Sequence, residues 1–257
     1  MPKTVGFLLF NDIEELDFVG PWEIFSIWSK TFDGPKTITV SQNSGEIVCA
    51  KGLKIISQYS FSNCPSFDVL VVPGGWGTRA QAENAVLIDF IRERSKHCKY
   101  ILGVCTGAFL LQKAGLLDHK QATTHWRSLE RLRLFEQTRV QEKRFVQDGN
   151  LWTSAGISAG IDMSLAYIAH VGGDELAGKI QFNAEYYPLD IRYGSLHRSN
   201  EAPQYLKKQQ VSGSAGLMSW LNTGIDAKNV PATKECEQNK QVVIGEEIPI
   251  TQLSSKL

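Results

Sequence analysis

Tyr100-Ile101-Leu102-Gly103-Val104-Cys105-Thr106-Gly107 runs from an apolar strand-like stretch directly into the helical stretch Ala108 to Ala114, which ends before Gly115. The run Tyr100 to Val104 is continuous rather than alternating, as expected of a strand covered on both faces. Glycines two residues on either side of Cys105 leave room for a sharp strand-to-helix turn that exposes the middle side chain, as in the nucleophile elbow of hydrolases. A cysteine at that turn lies near a helix N-terminus, where backbone N–H groups and the helix dipole favour thiolate. The elbow therefore makes Cys105 the candidate nucleophile. The competing account of a cysteine without this context is a buried, inert thiol.

Working outward, Val5 to Phe10 and Asp68 to Val72 repeat the buried-strand pattern, and Thr37 to Ser41 and Leu53 to Ser57 read as strands with Gly45 marking a turn between them. Gly20-Pro21 is expected to open a helix through Trp28, since proline suits a first-turn position. Val86, Leu87, Phe90 and Ile91 carry helical spacing across Ala82 to Ser95. Strands alternating with helices predict an α/β fold with a parallel sheet and helices on both faces. Further on, Asp148-Gly149 predicts a hairpin within Phe145 to Thr153, and Ser158 to Val171 and Asp174 to Phe182 read as helices. Composition shifts after about Ser199. Residues 200–257 are expected to be a loosely ordered extension to a 1–199 domain, with Met218, Trp220 and Leu221 on one short docking helix.

The chain has 257 residues, 42% of them hydrophobic, with Lys+Arg and Asp+Glu both at 27, so a substantial core is affordable and no basic excess points to nucleic acid. Its five cysteines, Cys49, Cys64, Cys98, Cys105 and Cys236, are odd in number and form no C-x-x-C pair, which argues against a zinc framework or a disulfide scaffold. The histidines His97, His119, His170 and His197 share no metal-site spacing. The N-terminal apolar run is too short for a membrane span and lacks a cleavage pattern. A cytoplasmic setting is expected. The final Ser255-Lys256-Leu257 matches a peroxisomal address tripeptide, which would carry meaning in a eukaryote.

Pro73-Gly74-Gly75 follows the neighbouring strand, and a loop with so little bulk can aim backbone N–H groups at a developing anion. An ordinary βα turn is the competing account. Trp76 and Trp126 follow site motifs and are candidates for lining an apolar pocket, with core packing as the alternative.

Five stretches in order then resemble the ThiJ/PfpI superfamily, most closely its isocyanide hydratases: Leu16 to Phe25, Val71 to Gly75, Gly103 to Gly107, Ala122 to Trp126, and Thr153 to Asp162. The amidotransferase-like domains of AraC-type regulators share much of this pattern. The resemblance covers roughly residues 4–195. It implies a flavodoxin-like three-layer sandwich, a homodimer, and an acidic residue from the first βα loop approaching the cysteine. Asp17 holds that position, where many relatives carry Glu. Glu14 and Glu15 read as solvated loop carboxylates. Protease-like members place His after the cysteine; Thr106 stands there, which disfavours proteolysis. His125 matches a histidine of glyoxalase- or deglycase-like relatives, though a strand-end histidine satisfied by hydrogen bonds is the competing account.

The implied reaction is hydration of a small-molecule isocyanide to an N-substituted formamide, with Cys105, Asp17 and Thr106 as catalytic groups and Gly74, Gly75, Trp76 and His125 around the substrate. It requires no metal or organic cofactor and no membrane. The alternatives are a glyoxalase or deglycase acting on small α-dicarbonyls, and a ligand- or redox-sensing domain. A regulator needs a helix-turn-helix domain of about 100 residues. The segment after Ser199 shows no convincing basic recognition face.

Overall fold

The computed structural model describes residues 1–188 and 193–207. The expected docking helix at Met218 to Leu221 and the C-terminal tripeptide lie outside the described residues. The chain enters its main sheet at an inner strand. Strand β1 (Thr4–Leu8) leads into helix α1 (Glu15–Thr31), then β2 (Lys36–Ser41), the hairpin β3 (Gly45–Val48) and β4 (Lys54–Ser57), and β5 (Tyr59–Ser60). Next come β6 (Val69–Val72), α2 (Thr78–Gln81), α3 (Ala85–Ser95), β7 (Tyr100–Val104), α4 (Gly107–Lys113), β8 (Gln121–Ala122), α5 (Leu129–Arg133) and β9 (Arg139–Val140). The hairpin β10 (Phe145–Asp148) and β11 (Leu151–Ser154) precedes α6 (Ala159–Gly172), α7 (Asp174–Asn183) and the short α8 (Gln204–Lys207).

The main sheet has seven strands in the order β10-β11-β7-β6-β1-β2-β5. All its pairings are parallel except β10 with β11, where Phe145 faces Ser154 and Asp148 faces Leu151. Helices α1, α6 and α7 pack together, as do α2, α3 and α4. This is the expected α/β three-layer sandwich, and every residue of β6 and of β11 is buried in it. From β1 the chain steps to β2 and β5 on one side, then returns to β6 on the other. The strand order thus reverses between β1 and β6, the point at which open α/β sheets hold their ligands at the carboxyl ends of the strands.

Helix α1 starts at Glu15, more than a turn before the expected Gly20-Pro21, so Asp17 lies in its first turn rather than in the preceding loop. Pro21 is inside the helix and costs one ladder hydrogen bond there. Tight packing against α6 offsets that cost: Pro21 abuts Gly160 and Gly20 abuts Ile161, each so closely that a Cβ on the glycine would come within 3.0 Å of its neighbour. Asp17, Phe18, Pro21, Ile24, Phe25 and Trp28 form the buried face of α1.

The other departures are local. The helix expected from Ala82 begins at Ala85, because Asn84 caps it by accepting a hydrogen bond from the Leu87 N–H (3.4 Å). Leu53 to Ser57 joins no main-sheet strand. It pairs antiparallel with Gly45–Val48, and Gly45 is the first residue of that unforeseen strand rather than a turn. This hairpin props up the first βα loop: Asp12 N–H donates to the Val48 carbonyl and Ala50 N–H to the Ile13 carbonyl, each at 2.8 Å. Among the described residues no helix is long and apolar enough to cross a membrane.

Candidate active site

Cys105 sits at the carboxyl end of β7 with φ of 57°, in the left-handed region that side chains other than glycine's rarely adopt. Such a backbone costs on the order of 1–2 kcal/mol and persists only where its surroundings impose it. Here they do. Cys105 N–H donates to the Ser154 carbonyl (3.1 Å), and the Thr124 hydroxyl donates to the Cys105 carbonyl (2.8 Å). The flanking glycines serve this turn through close approach, since a Cβ on Gly107 would lie 2.2 Å from the Val72 carbonyl oxygen.

Asp17 is fully buried beside the thiol. One carboxylate oxygen accepts from Gly74 N–H (3.1 Å) and the other from Ile157 N–H (2.9 Å). To present that N–H, Ile157 adopts φ of 60°, a strained conformation for a β-branched residue. Burial outweighs these hydrogen bonds and pushes the Asp17 pKa from 3.8 to about 7; contact with Cys105 and the Ile157 N–H pull it down, and Glu14 adds repulsion. The Cys105 thiol is driven well above its ordinary value by burial first and the Asp17 charge second, against a smaller downward pull from Thr106. Burial and the Asp17 charge thus oppose the thiolate that the helix N-terminus was expected to favour, and the carboxyl group beside the thiol is raised toward neutral pH.

The Gly74 and Gly75 N–H groups are both engaged within the protein, the second donating to the Thr106 hydroxyl (3.0 Å), so neither stands free as the expected anion donor. The N–H turned to the sulfur is that of Thr106. Thr106 Oγ1 also lies 3.2 Å from the Gly75 carbonyl and 3.2 Å from the Thr78 hydroxyl. It fixes the Gly74-Gly75 turn. A Cβ on Gly74 would fall 2.6 Å from the Thr106 nitrogen and 2.8 Å from Asp17 Oδ2. Gly74→Ala is accordingly expected to cost about 1–3 kcal/mol in urea unfolding and, by displacing the carboxylate, about a hundredfold in turnover. Wild-type stability together with wild-type turnover would contradict the assigned packing.

Trp76 is 69% exposed, whereas Trp126 is half-buried. His125 is partly buried, its ring packed against Gly156, and its Nδ1 accepts from Arg127 N–H (3.3 Å). It makes no hydrogen bond to Cys105 or Asp17. Burial lowers its pKa, so the ring is neutral at pH 7. Glu14 and Glu15 are not simply solvated, since both pair with Lys51. Cys49, Cys64 and Cys98 are buried free thiols. Among the described residues no group of three or more His, Cys, Asp or Glu side chains could hold a metal ion. Thr78, Thr124 and Ile157 belong to the site although their residue types alone gave no sign of it. For Thr124 and Ile157, presence within quoted motifs was the available signal.

An α/β sandwich with a cysteine on a strained strand-to-helix elbow and a buried acid beside it is the class defined by this fold and site. The DJ-1/PfpI family model matches residues 3–170. The chain belongs to the DJ-1/PfpI family. An isonitrile hydratase of Pseudomonas putida is 35% identical over 188 residues, 73% of this chain and 80% of that protein. An HTH-type transcriptional regulator of Pseudomonas aeruginosa is 27% identical, but the match spans only 49% of its length. Among solved structures, a ThiJ/PfpI family protein from Pseudomonas syringae superposes with TM-score 0.71 at 31% identity, covering 77% of this chain and 81% of that one. Drosophila melanogaster DJ-1beta shares the fold, at TM-score 0.63 and 22% identity, covering 73% of this chain and 100% of that one.

Proposed function

We propose that the protein hydrates isocyanides to N-substituted formamides through a thioimidate on Cys105. The observation that carries this reading is the buried Asp17–Cys105 pair, whose acid has a pKa of about 7. The terminal carbon of an isocyanide is a soft electrophile that also accepts a proton. Cys105 sulfur forms a bond to that carbon as Asp17 takes the thiol proton and delivers it to the same carbon, giving R–N=CH–S–Cys105. Water then adds to the thioimidate carbon, giving up a proton to Asp17, which passes it to the nitrogen and leaves R–NH–CH(OH)–S–Cys105. Collapse of the adduct breaks the C–S bond as the hydroxyl proton passes to sulfur, releasing R–NH–CHO and restoring the Cys105 thiol. The net change is addition of one water.

An acid with a pKa near the working pH suits both halves of this sequence, because it must accept and release a proton in turn. The Thr106 N–H beside the sulfur is placed to steady charge as it develops there. The 35% identical isonitrile hydratase supports the same reading. Dicarbonyl chemistry is less well supported, because His125 Nδ1 is committed to a backbone N–H. The test is product analysis: purified protein with cyclohexyl isocyanide should yield N-cyclohexylformamide, and methylglyoxal should yield no hydroxyacid. Hydroxyacid without formamide would replace this reading with the glyoxalase one.

A further inference from the structure

Residues 199–207 fold back onto the segment around Glu142. Ala202 and Pro203 are buried, and the next residue, Gln204, donates its backbone N–H to Glu142 Oε1 (2.6 Å). The segment is braced internally: Ala202 N–H bonds to the Ser199 carbonyl (3.2 Å) and Leu206 N–H to the Pro203 carbonyl (2.9 Å). Its landing place is joined to the site at several points. Lys143 accepts at its carbonyl from the Thr123 hydroxyl (3.2 Å), and the adjacent Thr124 hydroxyl holds the Cys105 carbonyl. The Arg144 carbonyl accepts from Ala155 N–H (2.9 Å), and its guanidinium bonds to Asp162 (2.7 Å) and Ser158 (3.0 Å). Residues 142–144 are thus bonded to both chain segments that position the cysteine and its acid.

Tyr205 is half-buried on this segment. Its phenol is pushed up by burial, drawn down by Arg144, and raised again by the charges of Glu142 and Cys105. Three groups from separate parts of the chain, the nucleophile among them, therefore lie within electrostatic range of one hydroxyl. Attack at the terminal carbon leaves the substituent on the nitrogen, beyond the reacting centre, so the groups around the thiol limit the size of substituent admitted.

We propose that residues 199–207 form an outer wall of the Cys105 pocket and that Tyr205 is a specificity-determining residue, setting the size of substituent accepted on the substrate nitrogen. The substrate class rests on the hydration reading; the wall does not, and the test separates them. Steady-state kinetics with isopropyl isocyanide and 2-naphthyl isocyanide would be compared in wild type, Tyr205→Phe, Tyr205→Ala and Tyr205→Trp. Tyr205→Ala should raise kcat/KM for the naphthyl compound relative to the isopropyl one by about tenfold or more. Tyr205→Trp should shift the ratio the other way, and Tyr205→Phe should leave it unchanged.

In parallel, alkylation of Cys105 by iodoacetamide and by N-(1-pyrenyl)maleimide would be followed by peptide mass spectrometry. Tyr205→Ala should accelerate the bulky reagent more than the small one. If wild type hydrates neither isocyanide, the hydration reading fails and the alkylation ratio alone decides the wall. An alkylation ratio in Tyr205→Ala and Tyr205→Trp equal to that of wild type overturns the proposal.

Discussion

Cys105→Ser is expected to lower isocyanide hydration by about three orders of magnitude or more while leaving the fold intact. The substitution keeps the backbone hydrogen bonds to Ser154 and Thr124 that impose the elbow, so a folding defect is not the expected cause of the loss. What changes is the nucleophile. A buried thiol beside a carboxyl group of pKa about 7 is difficult to ionise, but its proton can move to Asp17 as the C–S bond forms. A hydroxyl is a far weaker acid, and its hard oxygen is a poor match for the soft isocyanide carbon. Formamide release would be followed by chromatography, with circular dichroism as the folding control. Retention of activity within tenfold of wild type would remove Cys105 from the mechanism.

Asp17→Asn has the second-largest expected effect, with consequences for both rate and stability. With Asp17 acting as the proton carrier we propose, its loss should reduce kcat/KM by about 10²–10⁴-fold. For stability, the folded-state pKa of Asp17 is raised from 3.8 to about 7, so between those values the folded state binds the proton that the unfolded chain has released. The stabilising contribution is thus fully present below about pH 4 and lost as pH rises through about 7. Its size is up to about 4 kcal/mol by linkage. Asn cannot titrate, and it lacks the second acceptor for the Gly74 and Ile157 N–H groups. The variant should therefore be less stable than wild type at pH 4 and gain on it steadily toward pH 8. Urea unfolding across that range would measure the difference, and a gap that does not vary with pH would refute a raised Asp17 pKa.

Much of the architecture was legible because central strands of a doubly covered sheet announce themselves as apolar runs. Val69 to Val72 and Ile101 to Val104 could hardly be anything else. The β10–β11 hairpin was expected from Asp148-Gly149; it forms there, but its two loop residues are Gly149 and Asn150, with Asp148 paired to Leu151. The start of α1 was not legible, since proline is a reliable sign of a helix start only when nothing else holds it mid-helix. Here the contact of Pro21 with Gly160, far along the chain, does that. The two-residue strands β8 and β9 were missed for want of enough residues to show a period.

Within the site, the elbow could be read from neighbouring letters, but the state of its proton could not. Whether Cys105 rests as thiol or thiolate depends on how completely the surrounding chain excludes water, and on a carboxylate 88 positions away (105 − 17). The use of the Gly75 N–H was equally hidden, because it depends on where the Thr106 hydroxyl turns. Ile157 could not have been singled out by its side chain at all, since what it brings to the site is an N–H.

That last point bears on how such a site changes over evolutionary time. The acid is gripped by two main-chain groups, Gly74 N–H and Ile157 N–H, which lie 57 and 140 positions from it. Any residue that tolerates the local backbone can supply the same donor. The grip therefore leaves no polar signature in an alignment; it appears only as a ban on bulk at position 74 and as tolerance of an awkward backbone at position 157. Side chains around the site can therefore be exchanged without disturbing the hold on Asp17.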